Sequence, residues 1–529
     1  MERLIEPGCL HQAQLPHTTR LFEDFSYHFE RVARFYGHRP DSPRAIRDAV
    51  SELQYPEERR AALVEALRHQ NEDTPSLREL AKPGTVAVVS GQQVGLFSGP
   101  AYTIYKALTA VRIAQRLRDQ GIRAVPVFWL ATEDHDFAEV DHSWVFGPNH
   151  QPVVLRAHAS TVSQQPVGDI LLRDVPFEGL RQTLGSFPFA EEVLAEVEKA
   201  YTPERSMGVA FRELLKSLLR KYGLLYLDPL DEHIRRLGAP LLREAVRSAQ
   251  DLKAQLLERD AELRAAGYHT QVHLEPQTSL VFLLDGGRRI TLRRQNGDYI
   301  TKDARYSPQE LMDRADHLSP NALLRPVMQD YLLPTVVYVG GPAELAYFAQ
   351  AQAIYRTLLG HMPVVVHRAG FTLFDARAQK LIDRYRLEWP AIFEGEERIR
   401  EHIARRLVPP GLQHTAASVL AEVQGALHRY TGELNAFDPT LAAAMGNSRK
   451  KILFQLSKIE RKTAREAMRR DERAAQDASF IAGLLYPDKH LQERLYTILP
   501  FLAKHGPGLI DTIHDGIELD CPDHQVLVV

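Results

Sequence analysis

The sequence predicts an α/β protein with a core built on a parallel β-sheet, followed by a C-terminal α-helical antiparallel coiled coil. Three observations lead to this fold class: a strand, helix and strand succeed one another over residues 85–130, short β-branched runs recur at residues 335–339 and 364–366, and helical spacing dominates after residue 371. Strands that alternate with helices are typical of a parallel sheet, because a crossover must return the chain to the end where the previous strand began.

The first strand, helix and second strand form the clearest unit. TVAVV at residues 85–89 has the pattern of a buried strand and stands between PG and SG turn signals. In the helix that follows, Ile104, Leu108 and Val111 fall on one face, and a glycine ends the helix. VPVFWL at residues 125–130 then predicts a second buried strand.

The rest of the core is less regular. Residues 1–80 are expected to be mostly helical, and the runs at residues 335–339 and 364–366 are expected to extend the sheet. Between the two halves, residues 150–330 form a long insertion with helices and strands of its own, so we expect an interrupted sheet. Together these segments make up a predicted core domain at residues 1–370.

Residues 371–529 are predicted to form a helical domain. Two long helices follow each other with a short turn at Asp438 and Pro439, and each carries an apolar stripe. Neither helix buries its stripe alone, which predicts an antiparallel coiled coil. The apolar tail at residues 525–529 predicts a terminal strand. The stripe residues are Val419, Val423, Leu427 and Leu434 on the first helix, and Ile452, Leu456 and Ile459 on the second.

Composition and charge exclude several classes of protein. The 65 basic and 68 acidic side chains give a formal charge of −3, which argues against a dedicated nucleic-acid-binding protein, and the basic segment at residues 449–473 is interpreted as a solvated helix face. No apolar run approaches the roughly 18 residues that cross a bilayer. Cys9 and Cys521 are too few for a disulfide framework or a Cys-rich zinc site. Since residues 1–7 lack the pattern of a secretory signal, we expect a cytoplasmic protein that binds neither nucleic acid nor membrane.

The loop between the first strand and its helix is a candidate anion-binding site. It reads SGQQVGLFSGP at residues 90–100 and follows the carboxyl end of a parallel strand, where α/β proteins gather ligands. The free amides of a helix N-terminus suit phosphate or carboxylate. The loop matches neither G-x-G-x-x-G nor the Walker motif, so a structural turn beside a solvated lysine is an equally good interpretation. The candidate residues are Ser90, Gly91, Gln92, Gln93, Gly95, Ser98, Tyr102 and Lys106.

A second candidate segment follows the second strand. It reads TEDHD at residues 132–136, with Glu139, Asp141 and His142 close behind. So many carboxylates need a cation, a metal or a shifted pKa to coexist. The functional interpretations are Mg²⁺ ligation or general acid–base catalysis, and the alternative is a charged loop open to solvent. No metal-ligand set is assigned, and the candidate catalytic residues are His135, Asp134 and Glu133.

A third segment, GGPAE at residues 340–344, follows a later strand. Its candidate residues are Tyr338, Gly340, Gly341 and Glu344, although a tight turn before a helix explains the pattern as well. Because the carboxyl ends of parallel strands share one edge of a sheet, we expect all three segments to enclose a small anionic ligand.

These segments also carry a resemblance to a known family. SGQQVGLFSGPAYTIYK at residues 90–106, PVFWLATEDHD at 126–136, YVGGPAE at 338–344 and LQER at 491–494 resemble the BshC family, the cysteine ligases of bacillithiol biosynthesis. The resemblance spans nearly the whole chain. It implies a Rossmann-like core with inserted connecting segments and a coiled coil that pairs two chains into a homodimer.

The resemblance further implies addition of L-cysteine to glucosaminyl-malate, the last step to bacillithiol, in the cytoplasm. ATP or another nucleotide is expected as the driver of amide formation, and Mg²⁺ is a candidate ion. In this interpretation the loop at 90–100 holds malate or phosphate with help from Lys106, and His135, held by Asp134 or Asp136, removes a proton from the attacking amine. Glu133 orients that amine or binds Mg²⁺.

Two further functions are compatible with the sequence. One is a noncatalytic dimeric scaffold for the enzymes of the bacillithiol pathway. The other is a carboxylate-metal-dependent hydrolase that uses the acidic residues at 133–142.

Overall fold

The computed structural model of the protein describes residues 8–40 and 42–529. Residues 1–7, on which the expectation about a secretory signal rests, lie outside the described residues. The core is a five-stranded parallel sheet in the order β5-β4-β1-β2-β3. Its strands are β1 (Val86–Gln93), β2 (Ala124–Ala131), β3 (Leu225–Leu227), β4 (Thr335–Gly340) and β5 (Val364–His367).

The predicted parallel α/β core is confirmed. Helix α1 (Tyr102–Asp119) connects β1 to β2, and helix α2 (Pro342–Leu358) connects β4 to β5. Strands β1, β2 and β4 are buried along almost their whole length, because helices cover both faces of the sheet. This burial explains why these strands are continuous apolar runs rather than alternating patterns.

The strand order places a crevice between β1 and β4. The chain runs from β1 through β2 to β3 on one side, whereas β4 and β5 extend the sheet on the other side. Connections therefore leave the carboxyl ends of β1 and β4 in opposite directions, which is the switch-point arrangement that binds ligands in open α/β sheets.

The predicted insertion contributes one strand to the core sheet. β3 pairs with β2 at Val127, Phe128 and Trp129, so the core sheet takes one strand from the segment at residues 150–330. β3 has only three residues and lies among long helices, so its pattern is too short to be recognised in the sequence. The insertion also forms the expected strands of its own, in a five-stranded antiparallel sheet made of Thr278–Asp285, Arg288–Gln295, Asp298–Ile300, Arg305–Tyr306 and Leu318–Pro320.

The other elements before residue 371 are mostly helices, as expected for the N-terminal region. The helices there are Arg20–Tyr27, Pro43–Glu52, Glu57–Arg68 and Pro75–Leu80. Those of the inserted segments are Phe137–Val140, Phe177–Leu184, Ala190–Ala200, Met207–Leu218, Glu232–Arg247, Ala249–Ala265, Pro308–Asp313 and Arg325–Leu332. Short antiparallel pairs are formed by His142–Phe146 with Pro152–Arg156 and by His158–Ala159 with Leu172–Asp174.

The C-terminal region contains the predicted helical hairpin. Helices α3 (Pro410–Phe437) and α4 (Pro439–Arg469) pack against each other, and the Asp438 side chain between them accepts a hydrogen bond from the Thr440 amide at 2.7 Å. Only Ala464 is buried in the two helices. Val423, Leu427 and Leu456 are half-buried along the seam, whereas Val419, Ile452 and Ile459 are exposed, because two helices cover only a narrow stripe of each other.

The remaining C-terminal elements surround the base of this hairpin. The predicted terminal strand is present as His524–Val528, which lies between the strands Gly8–Leu10 and Phe371–Phe374. The described residues contain no helix that is both long and apolar enough to span a bilayer. The other helices are Ala376–Tyr385, Trp389–Phe393, Glu396–Leu407, Glu472–Leu485, Gln492–Leu495, Leu499–His505 and Leu509–Asp515.

Candidate active site

A cavity of about 610 Å³ lies at the carboxyl ends of β1, β2 and β4. All three candidate segments of the sequence contribute to it, so Gln93, His135 and Gly341 line the same space. The predicted site residues that line the cavity are Gly91, Gln92, Gln93, Tyr102, Lys106, Glu133, Asp134, His135, Tyr338, Gly341 and Glu344.

Four predicted site residues do not line this cavity. The Ser90 hydroxyl is buried and donates to a backbone carbonyl of β4 at 2.8 Å, and the Ser98 hydroxyl pairs with a threonine hydroxyl at 3.1 Å. A side chain on Gly95 would meet the next loop glycine at 2.9 Å, so this glycine permits a close backbone approach. The Gly340 carbonyl accepts the Arg368 amide at 2.9 Å. These four residues help to pack the walls of the crevice and do not line the cavity.

Two backbone amides of the loop after β1 are already bonded. The Phe97 amide donates to the Tyr201 hydroxyl at 2.8 Å, and the Ala101 amide donates to the Tyr496 carbonyl at 2.7 Å. Their partners come from distant parts of the chain, which a local pattern does not reveal. These two amides are therefore not free to bind an anion in the cavity.

Lys106 is buried at the base of the cavity rather than solvated. Its ammonium donates to the Gly91 carbonyl at 2.9 Å and to the Gln92 side-chain oxygen at 2.8 Å, and it forms an ion pair with Glu344. Burial lowers the pKa of Lys106, and the Glu344 carboxylate opposes that shift. Lys106 thus joins the end of β1 to the start of α2.

Glu344 is held ionised by its hydrogen bonds. Its carboxylate accepts from the Tyr338 hydroxyl at 2.5 Å and from the Gly341 amide at 2.7 Å, besides pairing with Lys106. Burial alone would raise the pKa of Glu344, but Lys106 and these hydrogen bonds bring it below the usual range. Because its oxygens are engaged, Glu344 is a poor candidate for proton transfer.

Asp134 positions Gln93 rather than the imidazole of His135. One carboxylate oxygen accepts from the Gln93 amide at 2.6 Å and the other from the His135 backbone amide at 2.8 Å. The His135 Nδ1 lies 3.8 Å from Asp134 and faces the Arg289 guanidinium at 3.5 Å. A guanidinium only donates, so in the neutral imidazole Nδ1 accepts and Nε2 carries the proton. The imidazole of His135 therefore makes no hydrogen bond to Asp134, although the two side chains lie within ion-pair distance.

Glu133 has the environment of an acid–base group. Its side chain is 5% exposed, and Oε1 has no hydrogen-bond partner among the described residues. Burial raises the pKa of Glu133 to about 7, although the positive charge of Arg289 opposes the shift. A carboxyl group with a pKa near neutrality is suited to take up and release a proton at physiological pH.

The acidic residues beyond Asp134 do not gather into a metal site. Asp141 is bound by Arg156 at 2.6 Å and by His142 at 2.9 Å, and Glu139 accepts from Gln93 at 3.0 Å. Within the described ranges, no three ligating side chains of this segment bring their ligand atoms within 4.8 Å of one another. The geometry therefore gives no support to the hydrolase interpretation.

Four arginines that the sequence analysis did not assign to the site also line the cavity: Arg289, Arg325, Arg368 and Arg494. With Lys106 they make five basic side chains, against the carboxyl groups of Glu133, Asp134 and Glu344, so the lining is positively charged overall. Arg368 directly follows β5, and this position at a strand's carboxyl end is a signal that the sequence carries. Arg289 and Arg325 come from the insertion and have no comparable local signal.

The arginines differ in how firmly they are held. Arg289 donates to the Ser319 hydroxyl at 3.0 Å and to the Pro320 carbonyl at 2.7 Å, and its guanidinium lies 4.0 Å from the centre of the Phe282 ring. Arg325 donates to the Tyr347 hydroxyl at 2.9 Å. Arg494 is exposed at the rim and has no ion-pair partner in the described part of the chain. It is the basic group with most freedom to contact a ligand.

Arg368 and Glu493 form a buried ion pair beside the cavity. Two parallel hydrogen bonds of 2.8 and 2.6 Å join the guanidinium to the carboxylate, and the side chains are 4% and 3% exposed. Glu493 also accepts from the Phe371 amide at 3.1 Å. The pair connects the end of β5 to the LQER segment near the C-terminus.

Comparisons with known proteins agree with this architecture. The profile described as the N-terminal Rossmann-like domain of bacillithiol biosynthesis BshC matches residues 9–369, and that of the C-terminal coiled-coil domain matches residues 371–529. A crystal structure of a putative arginyl-tRNA synthetase from Campylobacter jejuni has a TM-score of 0.23 and 9% identity over 88% of this chain and 100% of its own, too low to support an argument.

Curated relatives with the name "Putative cysteine ligase BshC" match over almost the full length, and three of them illustrate the range. The protein from Solibacter usitatus is 55% identical over 98% of this chain and 99% of its own. The one from Koribacter versatilis is 36% identical over 99% and 100%, and the one from Salinibacter ruber is 33% identical over 96% and 96%. With its parallel core, its helical hairpin and both family profiles matched end to end, this chain belongs to the BshC family of bacillithiol biosynthesis.

Proposed function

We propose that this chain is an amide-forming ligase that joins the carboxyl group of L-cysteine to the amine of glucosaminyl-malate, in the last step to bacillithiol. The relatives' name supports the cysteine-ligase part of the proposal, whereas the second substrate and the place in the pathway follow from the family resemblance. The structural observation that carries it is the positively charged cavity at the switch point of the sheet.

The charge of the cavity suits the proposed substrates. Glucosaminyl-malate carries the two carboxylates of malate, and a nucleotide carries several phosphate charges. Arginine binds carboxylate and phosphate through paired donors, and four arginines line the cavity. Arg494 at the rim is the first of them that an entering anion meets.

Amide formation from a free carboxylate is unfavourable in water, so a nucleotide such as ATP is the proposed energy source. Transfer of a phosphoryl or adenylyl group to the cysteine carboxylate creates a leaving group that the amine then displaces. Mg²⁺ would neutralise phosphate charge in this step.

The attacking amine must lose a proton, and Glu133 is the proposed acceptor. It is buried next to the cavity with a pKa of about 7 and a carboxyl oxygen without a partner. His135 is less suited, because Arg289 faces its Nδ1 and leaves the proton on Nε2. We assign His135 a positioning role through Arg289 and Asp134.

Reconstitution with purified components tests the function. The protein, L-cysteine, glucosaminyl-malate and ATP with Mg²⁺ are expected to yield a product with the mass of bacillithiol, and omission of any one substrate is expected to abolish it. Arg494→Ala is expected to raise the KM for glucosaminyl-malate about 10-fold, the cost of one charged hydrogen bond. Arg173→Ala is the matched control, because Arg173 is exposed and forms no side-chain hydrogen bond or ion pair with the residues that the structure describes. Absence of product with all components present would leave the scaffold function as the better account.

We further propose that α3 and α4 pair two copies of the chain. Their exposed apolar side chains include Tyr430, Phe454 and Ile459, which are 57%, 55% and 60% exposed. A second copy of the chain that packs on these apolar side chains removes them from water and so stabilises the hairpin. Sedimentation velocity is expected to show a dimer for the native chain and a monomer for the Phe454→Glu, Ile459→Glu double variant. A monomeric native chain at micromolar concentration would contradict the pairing.

A further inference from the structure

We propose that Cys9 and Cys521 are a modification site at which a reversible disulfide covalently joins the two ends of the chain. The sulfurs of Cys9 and Cys521 lie 3.1 Å apart in hydrogen-bond contact, although 512 positions separate the two residues along the chain. Both are free thiols in this structure. The inference is independent of the proposed ligase activity, since neither cysteine lines the cavity.

The backbone on both sides of the pair is held in place. Cys9 lies in the strand Gly8–Leu10, directly opposite Gln525 of the terminal strand. The Pro522 carbonyl accepts from the Gln12 side chain at 2.9 Å, and Asp520 forms a two-fold ion pair with Arg116 at 2.6 and 2.8 Å. Residues on either side of Cys521 are thus fixed to other elements. The two sulfurs need approach by only about 1 Å to reach the S–S bond length of roughly 2.05 Å.

A disulfide fits this pair better than a metal ion does. In the described ranges, Glu518 is the only further group whose ligand atom lies within 4.8 Å of both sulfurs, which makes three groups. Structural zinc sites use four protein ligands. Cys9 is exposed and Cys521 is half-buried, so a small disulfide reagent has access to both.

The reaction is thiol–disulfide exchange with a low-molecular-weight disulfide as oxidant. One protein thiolate attacks a sulfur of the reagent, which releases the first reagent thiolate and leaves a mixed disulfide on the protein. The second protein thiolate attacks the protein-bound sulfur, closes the Cys9–Cys521 bond and releases the second reagent thiolate. The protein loses two protons and two electrons, and the reagent gains both as it becomes two thiols.

The surroundings of Cys9 disfavour its thiolate form. Desolvation, the hydrogen bond with Cys521 and the carboxylates of Glu518 and Asp523 raise the pKa of the Cys9 thiol to about 12. The thiolate of Cys9 is therefore sparse at neutral pH, which slows its part in the exchange.

Mass spectrometry of the full chain after treatment with oxidised glutathione tests the proposal. The expected result is a Cys9–Cys521 peptide pair lacking two hydrogens, which dithiothreitol separates again. Because the bond constrains nearly the whole unfolded chain, oxidation is expected to raise the Tm by about 2–5 °C. In Cys9→Ser, glutathione is expected to stay attached to Cys521 without a rise in Tm. In Cys521→Ser, glutathione is expected to stay attached to Cys9, again without a rise in Tm.

Three results would overturn the proposal. The first is glutathione on both cysteines of the native chain without a bond between them. The second is a bond that joins only the cysteines of different chains. The third is a bond that forms only after a chelator has been added, which would identify the pair as a metal site.

Discussion

Glu133→Gln is expected to lower kcat by about 10²–10⁴-fold, the usual contribution of a general base. The substitution keeps the size of the side chain and removes its ability to take a proton. In the native protein, kcat/KM is expected to rise with pH up to about 7 and then level off, because Glu133 accepts a proton only after losing its own. The variant is expected to lack this rise. Initial rates measured between about pH 5.5 and 8.5, a range that brackets the pKa of Glu133, test this expectation.

Two comparisons make this result specific to the carboxyl group. Glu258→Gln, on the exposed face of Ala249–Ala265, is the matched control and is expected to behave as the native protein. His135→Gln is expected to be slower but to keep the rise near pH 7, since a positioning residue does not set the pH profile. If the rise disappears in His135→Gln and survives in Glu133→Gln, His135 is the base.

The raised pKa of Glu133 also has a consequence for stability. The folded chain holds this proton up to a pH of about 7, whereas the ordinary value is 4.5. The carboxyl group's contribution to the free energy of unfolding therefore falls as pH rises from 4.5 to about 7. Glu133→Gln removes this loss, so relative to the native protein the variant is expected to gain roughly 3 kcal/mol between acidic and alkaline pH in urea unfolding.

Glu493→Ala is expected to lower the free energy of unfolding by about 3–5 kcal/mol, because it leaves the Arg368 guanidinium buried without a counterion. It also removes the acceptor of the Phe371 amide. Urea unfolding measures the loss. The double variant Arg368→Met, Glu493→Met is expected to lose less than Glu493→Ala, since it leaves no buried charge unpaired.

An exposed ion pair provides the control for this substitution. Arg68 and Glu65 meet at 2.8 Å with side chains that are 59% and 63% exposed, so Glu65→Ala is expected to cost less than about 1 kcal/mol. Equal losses for Glu493→Ala and Glu65→Ala would show that burial of the Arg368–Glu493 pair has no energetic consequence.

The sequence is most informative where local pattern and fold coincide. β1, β2 and β4 are long apolar runs between turn signals, and α1 has an apolar stripe, so the parallel core is predictable from the residues. Polar residues at the ends of these strands predict where the cavity lies. The cavity does lie there, because parallel strands bring their carboxyl ends to one edge.

The sequence is least informative where a side chain's surroundings come from distant segments. The amides of the loop after β1 look free in the sequence, but Tyr201 and Tyr496 occupy two of them. His135 follows Asp134 directly, yet its Nδ1 faces Arg289 from the insertion. The pKa of Glu133 likewise depends on burial, which is a property of the folded chain. Tertiary contacts therefore decide the roles of residues whose location the pattern predicts.

A crystal structure of the protein with glucosaminyl-malate tests the central claim most directly. We expect the ligand in the cavity between β1 and β4, with its malate carboxylates in hydrogen-bond contact with the lining arginines and its amine on the side of Glu133. A ligand bound outside this cavity, or bound with its amine remote from both Glu133 and His135, would contradict the claim.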